Sequence, residues 1–244
     1  MQKYFISDDD FNNHRITSDD VHHIKDVMRF NIGDDIIVSN GKNEAICKIT
    51  SIDKGTVTFD ITMAIQNENE LPFSIDLYQG YPKGDKLEDI VKHTTELGVC
   101  GIYGVITRRS VFKLDSKKKE SKIERFNKIA KEAAEQSNRK ILPKFVDIID
   151  FKKLNFSEYD YKIVCYEESA KNGEQSNLKN IIKNLKRDSR VAVFIGPEGG
   201  ISEDEIKSLE DMGFVCCALG PRILRTETAS HYVLSAISYE WELI

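Results

Sequence analysis

No apolar run in this sequence approaches the roughly 18–20 residues that a membrane span requires. The opening Met-Gln-Lys-Tyr-Phe-Ile-Ser-Asp-Asp-Asp also lacks the long apolar core of a secretory signal. The five cysteines (Cys47, Cys100, Cys165, Cys216 and Cys217) are odd in number and never form Cys-x-x-Cys. This spacing argues against a disulfide framework or a zinc site and for reduced core thiols in a cytoplasmic protein. No glycine-rich loop runs into Gly-Lys-Ser/Thr, and no Gly-x-Gly-x-x-Gly occurs, so neither a Walker phosphate cradle nor a dinucleotide fingerprint is supported. Aromatic residues make up only 9% of the chain, and no RNP-like motif for stacking bases is present. His22 and His23 have no further ligands at a usable spacing, so no metal site is expected.

What is present describes an ordinary globular chain of 244 residues, 40% hydrophobic and 31% charged, long enough for one domain or two. The net charge of −5 conceals a gradient. Residues 1–70 hold 7 Lys+Arg against 13 Asp+Glu, whereas residues 108–140 hold 12 against 5. A basic segment in an acidic protein is either a phosphate-facing surface or the solvated face of a lysine-rich helix.

Two kinds of pattern succeed one another along the chain. Residues 3–6 read as a strand. Ser18 caps a helix with Val21, Ile24, Val27 and Met28 at helical spacing, ended by Asn31-Ile-Gly33. Short strands follow at Asp35–Ser39, Glu44–Ile52 and Thr56–Ile65, with turns at Asn40-Gly41 and Lys54-Gly55. Together they suggest a small barrel over residues 1–70. The polar stretch Gln66–Pro72 reads as a linker. From residue 71 to residue 244 the pattern alternates. Strands are expected at Ser74–Gln79, Ile102–Thr107, Phe145–Ile149, Lys162–Tyr166, Val191–Ile195 and Phe214–Ala218. Helices are expected at Asp85–Leu97, Ser121–Ser137, Asn177–Lys186, Ser202–Met212 and Glu227–Trp241. That alternation predicts an α/β domain with a mostly parallel sheet covered on both faces.

Two strands of this second part break into glycine-containing loops that lead to helices. Val191–Ile195 runs into Gly196-Pro197-Glu198-Gly199-Gly200, and Phe214–Ala218 runs into Leu219-Gly-Pro-Arg-Ile-Leu-Arg-Thr-Glu-Thr-Ala229. A strand followed by Gly-Pro is on its own only a turn. Two such loops at the carboxyl edge of a parallel sheet make a binding site.

These two loops, with Thr95-Glu-Leu-Gly-Val99 and Ala130-Lys-Glu-Ala-Ala-Glu-Gln-Ser137, resemble the SPOUT methyltransferases, and within them the ribosomal RNA small subunit methyltransferase E family. The resemblance covers essentially the whole chain. It implies a PUA-like RNA-binding barrel followed by a SPOUT-type sheet with a C-terminal deep trefoil knot, assembled as a homodimer. It further implies S-adenosyl-L-methionine as cofactor, no metal, and N3 of a uridine in 16S ribosomal RNA of the small subunit as methyl acceptor.

The residues fit that chemistry. S-adenosylmethionine has no phosphate, so its site needs backbone groups, apolar walls and a path for one methyl group. Gly196, Glu198, Gly199, Gly200, Gly220 and Thr226 offer the loop backbone, and Ile195, Leu219, Ile223 and Leu224 offer walls. Ile223 and Leu224 are expected to keep the second loop packed. Tyr166 and Glu167, ending a third strand, would close the pocket. Uracil N3 is protonated near neutral pH, so a cation near the carbonyl oxygens would stabilise the developing anion. Arg225 is the candidate, with Arg222 doing the same or holding a phosphate. Glu227 is a candidate base, but it also suits the positive end of a helix regardless of catalysis. RNA contacts are expected from dispersed basic residues: Arg29, Lys83, Lys86, Arg108, Arg109, Arg139 and Lys140. Two other readings stay open. One is a methyltransferase of the same fold acting on a ribose 2′-hydroxyl, and the other is a non-catalytic RNA-binding or assembly protein.

Overall fold

The computed structural model describes residues 1–66, 69–110, 116–171, 173–174 and 176–243, with backbone alone at 116, 117, 170 and 171. Asn67 and Glu68 of the expected linker, and residues 111–115 of the basic segment, lie outside the described residues, as does the side chain of Lys117 in the lysine run. The chain divides into two compact units. The first comprises residues 1–70 with 134–142, the second residues 71–133 with 143–244.

The first unit holds a five-stranded sheet in the order β1 (Lys3–Phe5), β3 (Asp35–Ser39), β4 (Glu44–Ile52), β5 (Val57–Ile65), β2 (Arg15–Ile16). β1 pairs parallel with β3, and the other pairs are antiparallel. Tyr4, Ile16, Ile24, Ile36, Val38, Cys47, Val57 and Phe59 form its core, none more than 1% exposed. The short helix α1 (Asp8–Asn12) and strand β2 have no counterpart in the sequence reading, being too brief to show a period. The helix expected from Ser18 begins as α2 (Asp20–His22) and widens into a π-turn over His23–Val27, where Met28 N–H donates to His23 O at 2.8 Å. Because that turn is wider than an α-turn, Val21 and Ile24 stay buried while Val27 and Met28 turn outward, at 58% and 42% exposure. Arg29 then takes a left-handed conformation (φ 54°) and Phe30 N–H closes the end on Ile24 O.

The second unit is a parallel six-stranded sheet in the order β11 (Val215–Cys217), β9 (Tyr161–Cys165), β10 (Arg190–Ile195), β6 (Ser74–Gly80), β7 (Gly101–Ile106), β8 (Lys144–Asp150). Strand alternation divides its core by face. Val191, Val193 and Ile195 join Ile75, Leu77 and Ile163 under α3 (Lys86–Glu96), α4 (Ser116–Gln136) and α8 (Thr226–Glu242). Ala192 and Phe194 join Tyr78, Val105 and Val164 on the other face. There Ile206 and Leu209 of α7 (Glu203–Asp211) close over an aromatic cluster of Phe151, Phe156, Tyr159 and Phe214. Each fully buried valine, isoleucine or phenylalanine contributes about 1.5–3 kcal/mol. Helices α5 (Glu167–Lys171) and α6 (Asn177–Asn184) lie between β9 and β10 in the chain. No helix among the described residues is long and apolar enough to cross a membrane.

Candidate active site

The strand order reverses between β6 and β10. The first three strands of the second unit build outward to one side, and the last three lie on the other. In open parallel sheets the carboxyl ends flanking such a reversal form the binding crevice. Here they belong to β6, β10, β9 and β11.

A buried polar clamp ties three of the segments at that edge. Gln79, the next-to-last residue of β6 and fully buried, donates from Nε2 to Thr226 Oγ1 at 2.7 Å. Thr226 Oγ1 donates to the carbonyl of Gly196 at 2.6 Å. Ser230 Oγ, one turn along α8, donates to Gln79 Oε1 at 2.5 Å and so completes the amide's partners. The approach is close enough to dictate a residue type. A Cβ at Gly80 would stand 2.4 Å from both the nitrogen and the Cδ of Pro197. A Cβ at Gly196 would stand 2.7 Å from Ile201.

Beyond the clamp the loop turns at Gly200 (φ 73°), and Arg109 lies under it, donating from its guanidinium to Gly199 O at 3.1 Å. Glu198 accepts from the backbone N–H of Lys83 at 3.1 Å and pairs with Lys86 Nζ at 3.1 Å. Lys86 Nζ also stands 3.3 Å from Glu227 Oε2. That buried oxygen has no hydrogen-bond donor among the described residues, so this contact is an ion pair without hydrogen-bond geometry. Burial by itself would raise the Glu198 carboxyl, but backbone N–H groups and Lys86 more than offset it and hold the group below the usual range.

The second loop is anchored differently. Tyr166 N–H donates to Cys217 O at 3.1 Å, joining the ends of β9 and β11. Glu174 then accepts from three backbone N–H groups, those of Ser176 and Asn177 at 2.6 Å and of Ala218 at 2.7 Å. Burial pushes Glu174 upward, and these three bonds outweigh it, so the carboxyl lies below its ordinary range. Asn177 Nδ2 adds a bond to Cys216 O. Leu219 and Leu224 pack on the core, whereas Ile223 is 73% exposed. The expected walls therefore reduce to Ile195, Leu219 and Leu224, and the loop is packed at its two ends and not at Ile223. Gly220 has φ 104° and open space for 4 Å around the position of a Cβ.

Arg222 and Arg225 are exposed, and neither guanidinium has a hydrogen-bond or ion-pair partner among the described residues. Arg225 is the N-cap of α8, with extended backbone, and Glu227 lies in the first turn, where its charge suits the helix dipole. Tyr166 is half-buried, and Glu167 is exposed at the start of α5.

The basic residues do not form one set. Arg29, Lys83, Arg108 and Arg109 are exposed. Lys86 is committed to Glu198 and Glu227. Arg139, expected on the RNA-facing surface, is 3% exposed and grips Glu70 with bonds of 2.6–3.0 Å. A guanidinium so buried and so paired is unavailable to phosphate. Lys140, next to it, lines a cleft of about 590 Å³ in the first unit with Lys42. The structure also brings together Asp89, His93 and His231, a grouping not foreseen where no metal ligands were expected. Gln79, Gly80, Glu174, Asn177 and Ser230 were likewise not singled out. Only the Asp89-x-x-x-His93 spacing carried a local signal, two potential ligands on one helix face.

Comparison with known proteins adds lineage to this geometry. A family described as "RNA methyltransferase domain" matches residues 69–238, and one described as "RNA methyltransferase PUA domain" matches residues 16–62. The chain is 44% identical to ribosomal RNA small subunit methyltransferase E of Bacillus subtilis, across 100% of this chain and 98% of that protein. The enzyme of the same name from Neisseria gonorrhoeae, solved bound to S-adenosyl methionine, superposes with a TM-score of 0.83 at 25% identity, covering 99% of this chain and 98% of that one. A methyltransferase of Legionella pneumophila, solved with the same cofactor, gives 0.80 at 28% identity over 93% and 91%.

Proposed function

As a member of the ribosomal RNA small subunit methyltransferase E family, this chain is, we propose, an enzyme that transfers a methyl group from S-adenosyl-L-methionine to N3 of a uridine in 16S ribosomal RNA. The observation that carries this reading is the clamp of Gln79, Thr226 and Gly196, which holds two glycine loops together at the reversal point of a parallel sheet.

The residues present fit the cofactor. Gly200 and Gly220 adopt positive φ, and the open space beside Gly220 is room that a side chain would fill. Ile195, Leu219 and Leu224 supply apolar wall, and the loop backbones supply polar groups. When bound, S-adenosylmethionine supplies an electrophilic methyl group on a sulfonium.

The chain's own work is to hold the uracil in line and to favour loss of the N3 proton. Arg225, without a partner among the described residues and at the mouth of α8, is assigned to the carbonyl oxygens, where a planar permanent cation stabilises the developing anion. Arg222 is assigned to the same anion or to a neighbouring phosphate. Glu227, ion-paired to Lys86, helps fix the helix start, and a role as base requires release of that pair. Arg29, Lys83, Arg108 and Arg109 are assigned to the RNA backbone, with Lys42 and Lys140 on the first unit's cleft.

Residues 1–70 are read as the PUA-like domain with its sheet closed as a barrel, and residues 71–244 as the SPOUT domain with a trefoil knot in its final strands. A homodimer is supported by α8, which turns Tyr232 and Tyr239 to solvent at 45% and 68% exposure. An RNA substrate in the ribosomal subunit implies a cytoplasmic enzyme.

Nucleoside analysis of small-subunit RNA treated with the protein and labelled cofactor tests the assignment. N3-methyluridine is the expected product. A ribose-methylated nucleoside would overturn the acceptor, and failure to bind cofactor would overturn catalysis altogether.

A further inference from the structure

Asp89 and His93 stand one turn apart on α3, and His231 meets them from α8. One donor atom of each lies within 4.8 Å of the other two. His93 Nδ1 is 3.0 Å from the Asp89 carbonyl oxygen and 3.2 Å from its carboxylate. Carbonyl oxygen only accepts, so Nδ1 carries the proton in that bond and Nε2 keeps its lone pair. Metal-ligating histidines are held in this way, with one ring nitrogen tied to an oxygen and the other left for the ion. The rings of His93 and His231 are 5.1 Å apart and tilted by 56°, so they are not a stacked pair.

A second observation is independent of that spacing. His231 Nε2 is buried and has no hydrogen-bond partner among the described residues. Buried polar atoms almost always have a partner, and one that lacks it calls for an ion or a water.

We propose that Asp89, His93 and His231 form a site for a divalent metal, zinc or a neighbouring late first-row ion, which fastens α3 to α8. Two imidazoles and one carboxylate are the donor set of such ions, whereas magnesium and calcium prefer oxygen throughout. Three protein ligands leave one tetrahedral position for water. The side chains of Asp89 and His93 are 55% and 40% exposed, so the ion enters from solvent. Lys86 and Glu227 pair between the same two helices. An ion at the cluster would therefore hold the helix that carries Thr226 and Glu227 against the one that carries Lys86, as a structural fastening outside the methyl transfer.

Calorimetric titration of the full-length chain, freed of metal by a chelator, with zinc chloride tests this. One ion per chain and a raised melting temperature are expected. Cobalt in place of zinc should give visible d–d absorption without a thiolate charge-transfer band, which separates this cluster from the five cysteines. His93→Gln and His231→Gln should each weaken zinc binding about tenfold or more, with the far-UV circular dichroism unchanged. Asp89→Asn, at an exposed position, repeats the test should either histidine variant fold poorly. Absence of saturable binding, a thiolate band, or unchanged affinity in the folded variants would overturn the site.

Discussion

Gln79 Nε2 donates to Thr226 Oγ1 at 2.7 Å, across nearly the whole length of the second unit's sequence, and neither residue has water to fall back on. Gln79→Ala leaves the accepting side of Thr226 Oγ1 unmet and sends Ser230 Oγ to its second acceptor, Thr226 O at 3.0 Å. An unmet buried donor or acceptor costs about 1–3 kcal/mol. We predict a loss of that size in urea unfolding, together with weaker cofactor binding by calorimetry, because the bonds that tie the end of β6 to the start of α8 are gone. A variant with unchanged unfolding midpoint would show that the clamp does not hold the site.

The glycines of the two loops should separate by mechanism. Gly80→Ala puts a carbon 2.4 Å from the backbone of Pro197, and nothing flexible is available to move. Cofactor affinity and stability should therefore fall together. The Cβ added by Gly220→Val meets nothing within 4 Å among the described residues, so the main effect on the fold comes from the left-handed backbone, of order 1–2 kcal/mol. Its larger effect should be on cofactor binding, since the side chain occupies open space. Retained affinity in Gly220→Val would place the cofactor elsewhere.

Arg225→Lys tests the catalytic assignment. A point charge replaces a planar fork, so the single-turnover rate should fall about 10²–10³-fold with both substrates saturating. Raising the pH should restore part of it, because more uracil is then ionised at N3. A defect that follows lost folding, without pH rescue, would make Arg225 structural.

The paired arginines after β7 are not equivalent. Arg108→Ala should weaken RNA binding and flatten its salt dependence while sparing the cofactor, since among the described residues its exposed guanidinium meets only Asp204. Arg109→Ala should impair both, because Arg109 holds Gly199. Equal effects of the two on cofactor affinity would contradict this division.

Glu174 supplies a pH dependence of known sign. Its folded carboxyl lies below the ordinary range, so the folded state binds its proton less readily than the unfolded chain. The stabilisation is therefore complete above the unfolded pKa and is lost as pH falls through the folded one. Glu174→Gln should flatten the acid limb of the stability curve, and an unaltered limb would remove Glu174 as its cause.

The parts of the fold visible in the sequence were those where burial writes a period. Val191–Ile195 is an unbroken apolar run, and its end at Gly196-Pro197 announced the loop. Polar residues with buried partners were not visible. Gln79 reads as a strand's exposed end, and Glu174 as one more acid in a polar loop, because their partners are distant in sequence. Arg139 was misjudged for the same reason, since a segment rich in lysine and arginine gives no sign that one member faces Glu70. The π-turn after His22 could not be seen either, as one extra residue in a turn leaves composition untouched.

The clamp has a consequence for the order of assembly during synthesis. Gln79 is made early, but Thr226 and Ser230, the groups that satisfy it and Gly196, come within the last helix. Until that helix arrives, the growing chain has a sheet whose central strand ends in an amide that can bond only the neighbouring Gly80 carbonyl. Methyl-transfer competence is therefore a property of the finished chain alone, and a chain stopped before Thr226 is expected to be protease-sensitive at its sheet edge and unable to retain cofactor.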